Sequence, residues 1–417
     1  MSATRECLRS AIAVAVFASV CLLATAESTL AASAPDALAE AYIALGGRDA
    51  IGPILGPAFR RPDDDGLYLA ATGAILRVDP SGDAAPAAVS VWFSEARLDP
   101  WLESARGVPP PLPADQRLAL GAVEQARDAL LSQPEIRATY HASGAEMAAR
   151  RWGEPLSAPR RFGPFIAQRF ERGVLQLWVD EVAGAPAPGS VTAVLIGDLL
   201  VEAGLLPIAP RPTLPASVRA GDVLSQVEPV DGAVAITFDL GSVDTGLRSV
   251  LETLGERGLR ATFFVTGDFT RYYEWAIPAI VAAGHEIANH TDTHPDLTRF
   301  GARRIADELD RLDATVAARG AAPPVWFRPP FGAFDARTRS LLSIRGFPLV
   351  MWRLDLGDWR DDISVQDVIA IGQRIRAGDI VVTHGGLAKT AAALPWVLDG
   401  IAERGLRQRT LSELYAP

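Results

Sequence analysis

Seven residues of a kind that can do chemistry fall where apolar runs in the second half of the chain come to an end. Asp239 closes VAITFDLG, His290 and His294 stand in NHTDTHPDL, Arg328 in WFRPPFG, Asp355 and Asp358 in RLDLGDW, and His384 closes VVTH. The chain holds five histidines, and three of them are in this set, a concentration that scattered core histidines would not readily produce. An H-x-x-x-H pair in a loop stiffened by Pro295 brings two neutral imidazoles together, which suits zinc or a similar ion. Arg328, ahead of two prolines, sits on a PPII-like backbone that aims its guanidinium well. Each residue also has a plainer reading: Asp239 as a helix cap, the histidine pair as solvated turn residues, Asp355 as a turn cap, Trp359 as core, and His384 as a satisfied core histidine. His285 begins a strand and His141 has no partner in view, so neither is assigned chemistry.

Residues at strand ends need a scaffold that gathers those ends. Short apolar runs at AVAITF, ATFFVTG, EIANH, VWFRP, PLVMWRL and DIVVTH alternate with helical stretches such as TGLRSVLETLGERG and ARRIADELDRLDATVAARG. Six or seven such units predict a parallel sheet with outer helices, closed into a barrel whose active-site residues sit at the C-terminal ends of strands. The proline-rich stretch PIAPRPTLP (207–215) is the expected interdomain linker, placed at 206–221, and residues from about 216 onward are expected to fold alone. Ahead of it, in a region spanning 35–205, IGPILGPAFRRPDDDGLYLAATGAIL (51–76) is echoed by WGEPLSAPRRFGPFIAQRFERGVLQL (152–177), with the Arg-Arg pairs and Gly73 and Gly173 in register. Glycine and proline between short β-prone runs predict two small turn-rich units, with a helix between them over roughly 114–133. The second copy looks like the short glycine-aromatic repeats of many secreted bacterial proteins, often credited with envelope or glycan contact. A structural spacer with Trp152 and Trp178 in its core is the other reading.

Length and composition agree with two or three globular domains: 417 residues, 49% hydrophobic and 22% charged. A formal charge of -10 gives no support for a nucleic-acid partner. At the N-terminus, Arg5 and Arg9 precede the uncharged AIAVAVFASVCLLATA, and Ala24-Thr25-Ala26 offers a cleavage site, so residues 1–26 read as a secretory signal peptide. Export to the outside or the cell envelope follows, with no stable membrane insertion after cleavage. Both cysteines, Cys7 and Cys21, lie inside the leader, so the mature protein has no thiol chemistry. Val20 before Cys21 is larger than lipidation sites usually carry, which argues against a lipid anchor. The sequence leaves the oligomeric state open.

Taken together, TFDLG, HTDTH, RPPFG, DLGDW and VTH resemble, in order, the five motifs of the NodB-like polysaccharide deacetylases, carbohydrate esterases that remove acetyl groups from sugars. The resemblance covers 222–417 and implies an α/β fold, a distorted (β/α)7-8 barrel, acting on an N-acetylated cell-wall or extracellular polysaccharide. It implies a divalent metal, with zinc the expected ion, held by His290 and His294. Asp239 would be the general base tuned by Arg328, His384 the general acid, and Asp355 the carboxylate that orients it. The Phe331 backbone N–H would hold the oxyanion, and Trp359 and Val382 would line the pocket for the acetyl methyl.

One departure cuts into that pattern. Where the family carries a second aspartate that completes an Asp-His-His triad, this chain has Leu240, which cannot ligate a metal. Asp244 or Asp292 would have to supply the third ligand, or water would fill the place, or the site is inactive. Asp244 also reads as the N-cap of the helix starting at Thr245. The rivals to a deacetylase are therefore a glycan-binding protein that keeps the cleft, and an O-acetyl esterase on polysaccharide.

Overall fold

The structure, a computed structural model, describes residues 33–113, 115–116, 129–206, 213–228, 231–241 and 243–416. The expected leader, most of the helix expected over 114–133, and residues 207–212 of the expected linker lie outside the described residues.

The internal echo is a structural duplication. Helices Ala34–Ala44 (α1) and Gly47–Ile51 precede an antiparallel four-stranded meander, Phe59–Arg61, Asp64–Ala71, Ala74–Val78 and Ala84–Pro86. Helices Pro134–His141 and Ala145–Trp152 precede a second, Arg160–Phe162, Phe165–Arg169, Val174–Trp178 and Val191–Ala193. In each copy a glycine ends the second helix: Gly52 at φ +75° and Gly153 at φ +70°. Only glycine adopts that backbone freely, and a Cβ at either position would run into the Thr72 or Glu171 side chain. A single antiparallel bridge follows each turn, Ile54 to Ala71 and Pro155 to Phe170, which folds the incoming chain onto its meander.

The second half builds the sheet that carries the chemistry. Strands Ala233–Leu240 (β1), Thr262–Val265 (β2), Glu286–Asn289 (β3), Leu354–Asp355 (β4) and Ile380–His384 (β5) pair in parallel in the order β3-β2-β1-β5-β4. Every residue of β1 is buried, as expected of a central parallel strand covered on both faces. Single parallel bridges from Asn289 to Phe327 and from Phe327 to Leu349 carry the path onward to Leu349–Val350, just ahead of β4, so the path returns on itself as a distorted barrel. The expected strand VWFRP thus pairs at Phe327 alone: Pro329 and Pro330, which lack N–H donors, stop it. The expected strand PLVMWRL splits into two short pieces around Met351–Arg353.

Helices Gly267–Tyr272 (α2) after β2 and Ala302–Ala318 (α3) after β3 flank the loops at the C-terminal edge of this sheet. One face of α3 carries Ala314, Ala317 and Ala318, which share a hydrophobic cluster with Leu38 and Tyr42 of α1. Small side chains let the two helices approach closely, and Arg319 pairs with Asp36 at 2.8 Å along the same seam. The first repeat therefore packs directly on the barrel.

Candidate active site

Asp239 and His384 are register partners across β1 and β5, so the two strands present a carboxylate and an imidazole side by side at their C-terminal ends. With His290, His294 and Trp359 they line an open pocket of about 400 Å³.

Beneath Asp239 lies Arg328, whose side chain is wholly buried. Its Nη1 donates to Asp239 Oδ1 at 2.6 Å, its Nη2 to Thr237 Oγ1 at 2.8 Å, and its Nε to the Val350 carbonyl at 3.1 Å, while the guanidinium lies 4.0 Å from the centre of the Phe264 ring. A buried charge is tolerated on such terms, with a counter-charge and its other donors satisfied. Thr237 stands two residues before Asp239 on the same face of β1, and that spacing is the sequence signal for a role the motifs alone did not assign to it.

The loop after β3 folds sharply to bring its histidines together. Thr291 (φ +70°) and His294 (φ +57°) both take left-handed backbone, held by Thr291 N–H to Asn289 Oδ1 (2.9 Å) and His294 N–H to Thr291 Oγ1 (3.0 Å). The two imidazoles end 4.8 Å apart, centre to centre. His290 Nδ1 lies 2.8 Å from the Arg328 carbonyl, which can only accept, so the proton is on Nδ1 and the Nε2 lone pair faces Asp239 Oδ2 at 3.6 Å. Burial pushes the His290 pKa down to about 4 despite the Asp239 charge, and burial lowers that of His294 as well. Two neutral imidazoles with free lone pairs are what a divalent ion needs from histidine.

The third ligand is not where the motif would put it. Leu240 is fully buried in the hydrophobic cluster between β1 and its covering helices, on the same face as Phe238 and opposite to Asp239. Asp244 accepts from Leu247 N–H at 3.2 Å, but the helix begins at Leu247 with Gly246 as its N-cap, and not at Thr245 as the sequence suggested. Asp292 accepts from Arg271 Nη1 at 2.7 Å, turned away from the pocket. Among the described residues no group of three His, Cys, Asp or Glu is placed to hold an ion. Of the residues the sequence offered as ligands, His290 and His294 are brought together, and neither Asp244 nor Asp292 joins them.

His384 is held by Asp358 and not by Asp355, contrary to the role the resemblance implied for Asp355. Asp358 Oδ1 lies 3.0 Å from His384 Nδ1, and Oδ2 accepts from His384 N–H at 2.7 Å and from the Thr390 hydroxyl. Asp355 instead accepts from Gly357 N–H (2.7 Å) and from Trp359 Nε1 (3.2 Å), which fixes the tight turn between the two carboxylates and the exposed indole on the pocket rim. Burial works against a charged His384, but the hydrogen bond and charge of Asp358, with Asp239 and Asp355 adding to them, hold its pKa above the ordinary histidine value. The same contacts hold the Asp358 carboxyl below the usual range in spite of its burial.

Phe331 takes φ +59° after the two prolines, and its ring, 70% exposed, stacks edge-on against His294 at 4.6 Å. Val382 lies two residues before His384 on the same face of β5 and is buried, but it is not among the residues that line the pocket, contrary to the role the resemblance implied. Asp268, at the start of α2, also lines the pocket and was missed, because an acid in a first helical turn reads as a dipole partner.

The family model described as polysaccharide deacetylase matches residues 226–350. A chitooligosaccharide deacetylase from Bradyrhizobium sp. (strain ANU 289) is 32% identical over 200 residues, 44% of this chain and 90% of that protein. A peptidoglycan-N-acetylglucosamine deacetylase from Listeria monocytogenes serotype 1/2a (strain 10403S) is 27% identical over 238 residues, 56% of this chain and 48% of that protein. Among solved structures, a family 4 carbohydrate esterase from Streptomyces lividans in complex with acetate has 33% identity and a TM-score of 0.41, and the match covers 43% of this chain and 92% of that one.

Proposed function

Because this chain belongs to the NodB-like polysaccharide deacetylases, carbohydrate esterase family four, we propose that it is an exported hydrolase that removes N-acetyl groups from cell-wall or extracellular glycan. The observation that carries the reading is the side-by-side placement of Asp239, backed by Arg328, and His384, backed by Asp358, on one pocket. Hydrolysis of an acetamide needs a group to take a proton from water and a group to give one to the departing amine. Asp239 can do the first, since Arg328 holds its carboxylate in place at the pocket floor. His384 can do the second: with Nδ1 tied to Asp358, Nε2 is the nitrogen that hands over the proton. The Phe331 N–H is proposed as the donor to the developing oxyanion, and Trp359 as the wall beside the acetyl methyl.

His290 and His294 would hold a divalent ion, zinc in this proposal, which when bound polarises the carbonyl and makes its water more acidic. The supporting chemistry is the pair's enforced neutrality. Export rests on the leader pattern at 1–26 and is checked by the mass of the mature N-terminus; among the described residues no helix is long and apolar enough to cross a membrane.

Acetate release from N-acetylglucosamine oligomers and from peptidoglycan, with the protein stripped of metal and then loaded with zinc, tests the proposal. Zinc-dependent release is the expected result. The burial of Leu240 favours one other reading, a glycan-binding protein that keeps the pocket without turnover. Absence of acetate under every metal tried, with oligomer binding retained, would select it.

The pH dependence should track His384. The general acid works when protonated, and its raised pKa keeps it protonated to higher pH than an ordinary histidine. Activity therefore falls as pH rises through that raised value. Asp358→Asn removes the charge that raises it, so the basic limb of the kcat profile should move to lower pH. A limb that stays put would assign it to another group.

A further inference from the structure

The loop that carries His290 and His294 is anchored from below by α3. Glu308 accepts from Thr293 N–H (2.8 Å) and from its hydroxyl (2.9 Å), and Asp313 accepts from Asn289 Nδ2 at 3.0 Å. Between them on α3, Arg311 reaches in two directions. Its Nε lies 3.6 Å from Oδ2 of Asp292, a residue that falls between the two histidines in the chain, and its Nη1 pairs with Glu40 on α1. Asp292 is buried and shared with Arg271, which in turn binds Asp268 at the pocket wall at 2.7 Å. An unbroken run of charges, Glu40–Arg311–Asp292–Arg271–Asp268, thus leads from the first repeat to the pocket.

We propose that Arg311 is a positioning residue for the histidine loop, and that α1 of the N-terminal repeat completes its setting through Glu40, so that this repeat is a working part of the active site. The physical reason lies in Asp292. It is a buried carboxylate at the centre of a loop with two left-handed residues, and its direction is set by the cations around it. Arg271 pulls on Oδ1 and Arg311 on Oδ2, which fixes the carboxylate plane and with it the loop. Glu40 holds Arg311 in that rotamer from the other side of the seam. The alanine face of α3 brings α1 close enough for this contact. The proposal rests on reading His290 and His294 as the metal-holding pair.

The test uses the full chain with Arg311→Met, Arg311→Lys and Glu40→Gln, and with Arg257→Met, which breaks the exposed Arg257–Asp399 pair, as the control. The first readout, on metal-free protein, is hydrogen exchange of the peptide spanning 289–294. It should rise in Arg311→Met, less in Glu40→Gln, and recover in Arg311→Lys, while the control matches wild type. The second is calorimetric zinc titration, in which Arg311→Met should weaken binding by roughly 10-fold or more, the range for residues that orient metal ligands. If Arg311→Met loses its cooperative melt, Glu40→Gln decides. Unchanged exchange in both Arg311→Met and Glu40→Gln overturns the positioning role whether or not the wild type takes up zinc. Absence of zinc uptake by wild type, with exchange changed as expected, would instead overturn the metal reading alone.

Discussion

His384→Ala is expected to lower kcat for acetate release by about 10²–10⁴-fold, the usual worth of a positioned general acid, with metal content close to wild type. The side chain stands on the pocket wall at the end of β5, but it is also the partner of the buried Asp358, so its loss costs some stability, softened by the backbone N–H and the Thr390 hydroxyl that Asp358 keeps. Asp239→Asn should remove turnover to a similar degree for a different reason, and with a second effect. Arg328 is wholly buried and Asp239 is its counter-charge, so the amide leaves a cation without compensation, at a cost of about 3–5 kcal/mol. Denaturant melts should rank the two: Asp239→Asn strands a guanidinium that cannot deprotonate, whereas Asp358 in His384→Ala can take up a proton, so the larger loss is in Asp239→Asn. Zinc content adds a further division. If Asp239→Asn loses zinc that His384→Ala retains, Asp239 is serving as a ligand in the place Leu240 leaves open, and its assignment as base fails.

Leu240→Asp restores the family's residue type, and on this structure it should cost stability before it confers anything. The position is buried among Phe238, Leu247 and Leu394 on the helix-facing side of β1, away from the histidines. A carboxylate there has no partner to replace water, and the penalty should be several kcal/mol, on the order of that for breaking a buried ion pair. Urea melts of the metal-free variant measure it. Zinc, by mass action, will recover the loss only if the new carboxylate can swing to the pocket side. A variant that melts like wild type without metal and binds zinc more tightly would show that position 240 faces the histidines, and the placement of Leu240 in the core would be wrong.

Much of the barrel and of its reactive rim could be read from residue types alone. Asp239, His290, Arg328 and His384 each end an apolar run, and alternation along a buried strand leaves little freedom in where a strand's last residue points. The repeat echo was visible because glycines at turns and arginines on strands recur at fixed offsets. What escaped was set by geometry that has no period. Asp355 and Asp358 differ by three residues in one loop, and only the bend at Gly357, φ +69°, decides which of them reaches His384. Leu240 was legible as a missing ligand, but not as a core residue, because the motif fixes identity and the strand fixes direction. The pairing of Arg311 with Glu40 joins residues 271 apart in sequence, a separation no local pattern reports. For the same reason the linker could mark a change of pattern without revealing the alanine seam that crosses it.

Thr291, His294 and Phe331 share a left-handed backbone that L-residues avoid, at a cost of order 1–3 kcal/mol each. None of the three is glycine, the residue that would relax the strain; His294 lines the pocket, Phe331 stacks on His294, and Thr291 is fully buried. The consequence is a trade that protein engineers would meet at once. Glycine at Phe331, whose side chain is mostly exposed, should make the protein harder to unfold, yet loosen the turn beside His294 whose shape must be settled before substrate arrives. A screen for heat resistance alone would select such changes, and the variants it returned would be sturdier and slower.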